Sequence, residues 1–310
     1  MSVLNEPQFH DEEAAYKWVE ERVWPNGRVC PHCGTVEQSG KLKGKSTRIG
    51  TYKCYACRKP FTVKVGTIFE ASHVKLHIWL QAIFLIVSSK KGISANQLHR
   101  TLGVTLKTAW FMGHRIREAM KDDGNSPLGG EGKVVEADET FIGKPEQVFV
   151  TGKGWVDARG YATKRKVISL VERGGRVRSI KVNDLTGETI RKVLTENVAK
   201  ESRLHTDEAQ HYKRPGREFA SHERVNHSEY EYARGDVTTN TVEGFFGIFK
   251  RGMRGIYQHC GEQHLQRYLY EFDFRYNNRV ALGIDDAMRA DNALKGIVGK
   301  RLTYQTTHCG

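Results

Sequence analysis

Three acidic residues stand where a metal cage could form: Asp138, Asp207 and Glu243. Asp138 lies inside Lys133–Ile142, a run whose apolar and polar residues alternate as in a strand. An acid in such a setting is costly to bury unless it is paired or metal-bound. Asp207 closes the strand-like run Ser202–Asp207, and Glu243 falls in the helical stretch Asn240–Met253. Three carboxylates can hold two Mg²⁺ (or Mn²⁺) ions about 3.5–4 Å apart. One ion activates a water or a 3′-hydroxyl and the other stabilises the leaving oxygen, which is the chemistry of phosphodiester cleavage and strand transfer. Mg²⁺ keeps several waters, so few protein ligands suffice. Each acid also has an ordinary reading. Asp207 or its neighbour Glu208 could cap a helix, and Glu136 and Glu139 are expected on the strand face opposite Asp138, in solvent.

The elements around these acids give them positions. Lys166–Glu172 reads as a second strand, Gly174-Gly175 as a hairpin turn and Val177–Val182 as a third strand. A helix starts at Thr186 and runs to about Lys200, and Ser202–Asp207 is the fourth strand. Helices over Asn240–Met253, with Val242, Phe245, Phe246 and Phe249 on one side, and over roughly Glu262–Asn277 complete the pattern. Three strands, a helix, a short strand and then helices is the order of a ribonuclease-H-like fold, a mixed five-stranded sheet with helices. That fold sets its first strand beside its fourth, so Asp138 and Asp207 should meet across neighbouring strands with Glu243 facing them.

Upstream, Cys30-Pro-His-Cys33 and Cys54-Tyr-Ala-Cys57 form two C-x2-C knuckles. Two such knuckles read as a single structural zinc site with all four positions filled by Cys30, Cys33, Cys54 and Cys57. Gly34 supplies a turn after the first knuckle, and the basic stretch Lys41–Lys53 suits a hairpin. His32 is surplus to the site, and Cys260 and Cys309 are isolated.

Residues 75–91 carry Leu76, Trp79, Leu80, Ile83, Phe84 and Val87 at helical spacing, with Ser72 as a start. Ser94 then caps a short helix, Gly103 turns the chain and Thr105 caps a second helix. In it Ala109, Trp110 and Ile116 face inward, while Lys107, His114, Arg115 and Arg117 are polar. This is the helix-turn-helix pattern, and it makes Lys107, Arg115 and Arg117 candidates for DNA contact.

The chain is an α+β multidomain protein by this reading. Residues 1–70 hold an N-terminal helix and the zinc ribbon, 71–122 the helix-turn-helix, 123–132 a Gly-rich linker, 133–280 the acidic domain and 281–310 a tail. Its 49 Lys and Arg against 36 Asp and Glu give a net charge of +13, which favours a polyanionic partner. The most apolar run, Ile78–Val87, is far shorter than the roughly 20 residues a membrane span needs. The first 25 residues are too polar for a secretory signal, so a cytoplasmic protein with no membrane partner is expected.

The chain resembles bacterial insertion-sequence transposases of the zinc-ribbon group related to Merlin elements. Val225–Gly252, with Asn240, Glu243 and Lys250, carries the resemblance. So do Gly66-Thr-Ile-Phe-Glu, Val135–Gly143 around Asp138, Leu204–Ala209 around Asp207 and Phe272–Arg279. It implies a DDE catalytic domain acting on terminal inverted repeats and target DNA, in a homodimer or larger assembly. Asp138 and Asp207 are then the first two Mg²⁺ ligands. The third is Glu243 or Asn240, one helical turn apart, and Glu243 is favoured because a carboxylate neutralises Mg²⁺ better than an amide. The resemblance also puts Lys250 on a DNA phosphate, with Arg251 and Arg254 extending that contact. The rivals are a non-catalytic DNA-binding regulator on the same core and a junction-selective nuclease.

Overall fold

The computed structural model describes residues 3–122, 124, 126–143, 147–157 and 164–303. It divides into two compact units: Met1–Lys121 with Asn278–Gly310, and Asp122–Asn277.

The first unit opens with helix α1 (Glu12–Val23), capped by Asp11. A three-stranded antiparallel ribbon follows: β1 (Ser39–Lys41), β2 (Tyr52–Cys54) and β3 (Pro60–Phe61). Helix α2 (Leu76–Ser88) buries residues on most of its circumference, as a nearly uniform apolar sequence requires. Its start is not capped by Ser72. The Glu12 carboxylate accepts the Leu76 and His77 N–H groups at 2.8 and 3.2 Å, and Ser72 instead accepts the Trp79 indole N–H at 3.1 Å. Helices α3 (Ala95–Leu102) and α4 (Leu106–Ala119) are capped by Ser94 and Thr105 as expected, with Gly103 between them at φ +65°.

The described part of the expected tail, residues 281–303, packs into the first unit. Helix α8 (Asp286–Lys295) buries Ala290, Ala293 and Leu294 within the first unit, and Ile297 is fully buried after it. The strand-like contact of Val298 with Thr67, and the Gly299 N–H bonded to the Gly66 carbonyl at 2.8 Å, fasten this segment to the Gly66–Glu70 stretch.

The second unit contains β4 (Val134–Ile142), a hairpin of β5 (Gln147–Val150) and β6 (Gly154–Asp157), β7 (Arg165–Glu172), β8 (Val177–Val182), α5 (Gly187–Asn197), β9 (Arg203–Thr206) and β10 (Ser221–Arg224). A small hairpin of β11 (Ala233–Arg234) and β12 (Val237–Thr238) leads into α6 (Asn240–Gly252) and then α7 (Leu265–Asn277). The main sheet runs β10-β9-β4-β7-β8, with β4, β7 and β8 antiparallel and β9 and β10 parallel to β4. This is the mixed five-stranded sheet with helices expected from the sequence. One face packs Val135, Ala137, Leu170 and Leu204 with Ile190 and Leu194 of α5. The other packs Val167 and Val171 with Val242, Phe245 and Phe249 of α6 and Leu269 and Phe272 of α7.

The outer edge of β8 is covered by a helix whose side chains act as a missing strand. Asn277 accepts the Val177 N–H at 2.7 Å and donates to its carbonyl at 3.0 Å. Asp273 accepts the Ser179 N–H and hydroxyl, both at 2.7 Å. Gln266 accepts the Lys181 N–H at 2.8 Å and donates to the Ser179 carbonyl at 3.0 Å. Alternate residues of the strand are served by residues spaced along one helix face, so the edge presents no free ladder there to another chain.

Candidate active site and metal centre

Strands β4 and β9 are parallel, with Val134 opposite Arg203, Val135 opposite Leu204 and Glu136 opposite His205. The same register, continued two residues, puts Asp138 level with Asp207 on one face. Both are half-buried. Asp138 accepts the Glu139 N–H at 2.7 Å and Asp207 the Ala209 N–H at 3.0 Å. Burial, then the charges of Glu139, Asp207 and Glu243, push the Asp138 carboxyl up to about 8. Burial and the charges of Glu139 and Glu208 also raise Asp207. The three sequence candidates therefore share one electrostatic field. Two adjacent carboxylates, both raised by burial and by neighbouring acids, mark a site built to take positive charge.

Glu243 is exposed on α6, where it accepts the Thr239 hydroxyl at 2.8 Å and lies 3.4 Å from His227 Nε2. Asn240 is exposed at the first position of the same helix. The acids do not close into a cage by themselves. Among the described residues, the only group of three or more metal-ligating side chains within 4.8 Å of one another is the cysteine set.

Two neighbouring acids were misread from the sequence. Glu136 lies two residues before Asp138, and so on the same strand face, where it is fully buried. Its carboxylate accepts the Thr241 and Val242 N–H groups at 2.8 and 3.0 Å and the Thr241 hydroxyl at 2.8 Å, and it pairs with Arg173 at 2.7 Å. Arg173 also donates to the Asp236 carbonyl at 2.8 Å. Glu136 is thus the N-terminal anchor of the helix that carries Asn240 and Glu243. Glu139 is largely buried on the other face, accepting the Tyr212 hydroxyl at 2.9 Å with His211 Nε2 at 3.3 Å. Tyr212 and His211 stand just after Asp207, so Glu139 ties that segment to β4. Glu208 caps no helix. It accepts the His227 N–H and Ser228 hydroxyl at 3.0 and 2.7 Å, holding His227 near Glu243. The signal for Glu136 was present in the period-2 spacing.

The cysteine knuckles converge as their spacing implies. Cys30 and Cys57 sulfurs are 3.7 Å apart, as are Cys33 and Cys54. A tetrahedron of Zn–S bonds of about 2.3 Å requires sulfurs about 3.8 Å apart, so the set fits one zinc ion. His32 turns to the Pro60 carbonyl at 3.3 Å, outside the set.

The basic candidates separate into two groups. Lys107, Arg251 and Arg254 are exposed, and Lys250 is half-buried with its ammonium 5.8 Å from the Phe246 ring centre. Arg115 and Arg117 are buried. Arg115 donates to the Ile68 and Glu70 carbonyls, both at 2.8 Å, and to the Leu302 carbonyl at 3.1 Å. These two belong to the packing of the first unit and are withdrawn as DNA contacts. His114, expected on the polar face, is buried too.

With this geometry in place, residues 127–277 match the ISXO2-like transposase domain and residues 10–60 the transposase zinc-ribbon domain. The chain thus carries a transposase zinc-ribbon domain followed by an ISXO2-like transposase domain. Over 281 residues the transposase is 28% identical to a Halobacterium salinarum protein named "Uncharacterized protein in transposable element ISH50", covering 86% of this chain and 91% of that one. Its likeness to the Mos1 transposase paired-end complex with left transposon end has a TM-score of 0.28 and 14% identity, over 70% of this chain and 73% of that one. A likeness that low carries no argument. Among the described residues, no helix of the transposase is long and apolar enough to cross a membrane.

Proposed function

We propose that this transposase binds the terminal inverted repeats of its element, cuts DNA strands there and joins the freed 3′-hydroxyl to target DNA. One observation supports this reading above the others. Asp138 on β4 and Asp207, the residue after the parallel neighbouring strand β9, fall at matching positions of the register, and Glu136, on the same strand as Asp138, anchors the helix bearing Asn240 and Glu243. Asp138, Asp207 and Glu243 would hold two Mg²⁺ or Mn²⁺ ions, with Asn240 beside them. Bound there, the ions would activate a water or 3′-hydroxyl and stabilise the leaving oxygen. The chain's own residues fix where that happens. β4 and β9 set two carboxylates, and α6 brings the third ligand together with Lys250, two turns along the helix, for a phosphate.

The four cysteines would keep a structural zinc, and the α3–turn–α4 pair, with Lys107 exposed near the α4 start, would read DNA as a helix-turn-helix. Two element ends must be held together, so the working form is a dimer or larger assembly on DNA inside the cell.

The test uses the full chain and a duplex carrying an element end. Nicking and joining should require Mg²⁺ or Mn²⁺, and Asp138→Ala or Asp207→Ala should abolish both while end binding persists. Strand joining by Asp138→Ala would refute the assignment.

A further inference from the structure

The insertion between β4 and β7 is a two-stranded hairpin with aromatic residues turned outward. Phe149 and Trp155 face each other across it in register. Their rings are 5.7 Å apart, edge to face, and the two residues are 64% and 68% exposed. Gly152 and Gly154, both at positive φ, turn the hairpin, with Lys153 exposed between them. Exposing two large rings side by side forgoes the burial that drives aromatic residues inward. A pair of this kind points to a partner surface.

Two features identify the partner. The hairpin leaves β4 at Ile142, four residues beyond Asp138, and Asp207 follows the last residue of β9, which runs parallel to β4. The rings therefore extend from the end of the sheet that carries the acids. By sequence, Lys144, Lys153, Arg159 and Lys164 outnumber Glu146 and Asp157 in the insertion. This net-basic composition of the insertion favours phosphates as the partner.

We propose that Phe149 and Trp155 form a DNA contact, an aromatic wedge that packs on base or sugar faces while Lys153 meets the adjoining phosphate. A wedge that inserts between base steps reads no base edges, so the contact is indifferent to sequence and suits target duplex rather than repeat recognition. The proposal rests on the reading that the chain acts on DNA.

Salt dependence separates the two parts of this contact. Stacking releases no counterions, whereas a lysine on a phosphate does. The experiment measures binding of the full chain to a random-sequence duplex by fluorescence anisotropy over a salt series. The doubly substituted Phe149→Ser, Trp155→Ser protein should bind about tenfold more weakly, with an unchanged slope of log affinity against log salt. Lys153→Ala should lower that slope by about one. Trp155→Phe, which keeps a ring, should restore most of the affinity to the chain with Phe149 intact. Melting curves check that each variant is folded. Wild-type affinity in the double variant would overturn the proposal. So would unchanged affinity with lost self-association in sedimentation, which would assign the rings to a second copy of the chain. If the wild-type chain bound no duplex at all, the DNA reading itself would fail, a result distinct from both.

Discussion

Glu136 on β4 caps Thr241 on α6: its carboxylate accepts that residue's N–H and hydroxyl, each at 2.8 Å, from a fully buried position. The bond joins the strand of the first candidate ligand to the helix of the third. Glu136→Ala would leave the Arg173 guanidinium and the Thr241 and Val242 N–H groups without their carboxylate. Breaking a buried pair in this way costs about 3–5 kcal/mol, which urea unfolding would read directly. Glu136→Gln keeps shape and an acceptor and should lose less stability, yet cut strand cleavage in a folded protein. Equal stability of wild type and Glu136→Ala would refute the anchoring role.

Asp138 makes the opposite prediction for stability. Its folded pKa, about 8, lies above the ordinary carboxylate value, chiefly through burial and the neighbouring acids. A group raised in the folded state contributes its full stability below the unfolded value. That contribution is lost as pH climbs through about 8. Metal-free protein should therefore melt at a lower temperature at pH 8.5 than at pH 6, through this group. Asp138→Asn should remove much of that slope and stabilise the metal-free chain at pH 8.5 by about 1–2 kcal/mol, after allowance for its partial exposure. Scanning calorimetry without divalent ions would check it. A destabilised Asp138→Asn protein would mean that the carboxylate is structural.

The zinc ribbon should be the metal-dependent part of the first unit. Its apolar cluster is small (Tyr52 and Phe61 packed around Cys30 and Cys54, with Trp24 alongside), too small to hold three short strands unaided. Removing zinc with a strong chelator, or substituting Cys33→Ser, should disorder this ribbon while leaving the β4–β9 sheet folded. Amide exchange mapped by peptide would show fast exchange over residues 28–61 and protection over β4 and β7. Uniform protection after zinc removal would contradict a structural metal.

Much of this molecule was readable beforehand, for definite reasons. The C-x2-C knuckles, the Ser94, Thr105 and Thr186 caps, and the presence of a strand at β4 are local signals, and the structure honours each. The misreadings came where a distant partner decides the outcome. Arg115 looks like a surface residue until the carbonyls of Ile68, Glu70 and Leu302 gather around it. Glu136 looks solvated until Arg173 and the start of α6 arrive. Helix α8 was the avoidable miss, because Ala290, Ala293, Leu294 and Ile297 recur at helical spacing in the sequence itself. No local pattern could reveal that Gln266, Asp273 and Asn277 serve the edge of β8.

That edge gives its own prediction. Asp273 is raised to about 7 by burial, in spite of its two bonds from Ser179. Asp273→Ala or Asn277→Ala strips a partner from a backbone N–H of β8. Each change should cost about 1–3 kcal/mol. The double variant should also aggregate faster, because an unpaired strand edge recruits other chains. Light scattering during mild heating would measure it, and a double variant as soluble as wild type would show that α7 does not guard the edge.

On the proposed reading the third metal ligand is Glu243 or Asn240, and the two differ in chemistry. Glu243 brings a charge that offsets Mg²⁺, while Asn240 brings only a carbonyl oxygen. Asn240 begins α6, and Glu243 is placed where His227 lies within 3.4 Å of its carboxylate. Glu243→Gln should therefore move the Mg²⁺ midpoint for nicking upward and lower cleavage at saturating metal by about a hundredfold or more. Asn240→Ala should cost about tenfold, with a smaller change in midpoint. Metal titration of both variants on one nicked-end assay separates them. If Asn240→Ala were the more damaging and Glu243→Gln kept the wild-type midpoint, the amide would be the ligand, and Glu243 would act through its bond with Thr239.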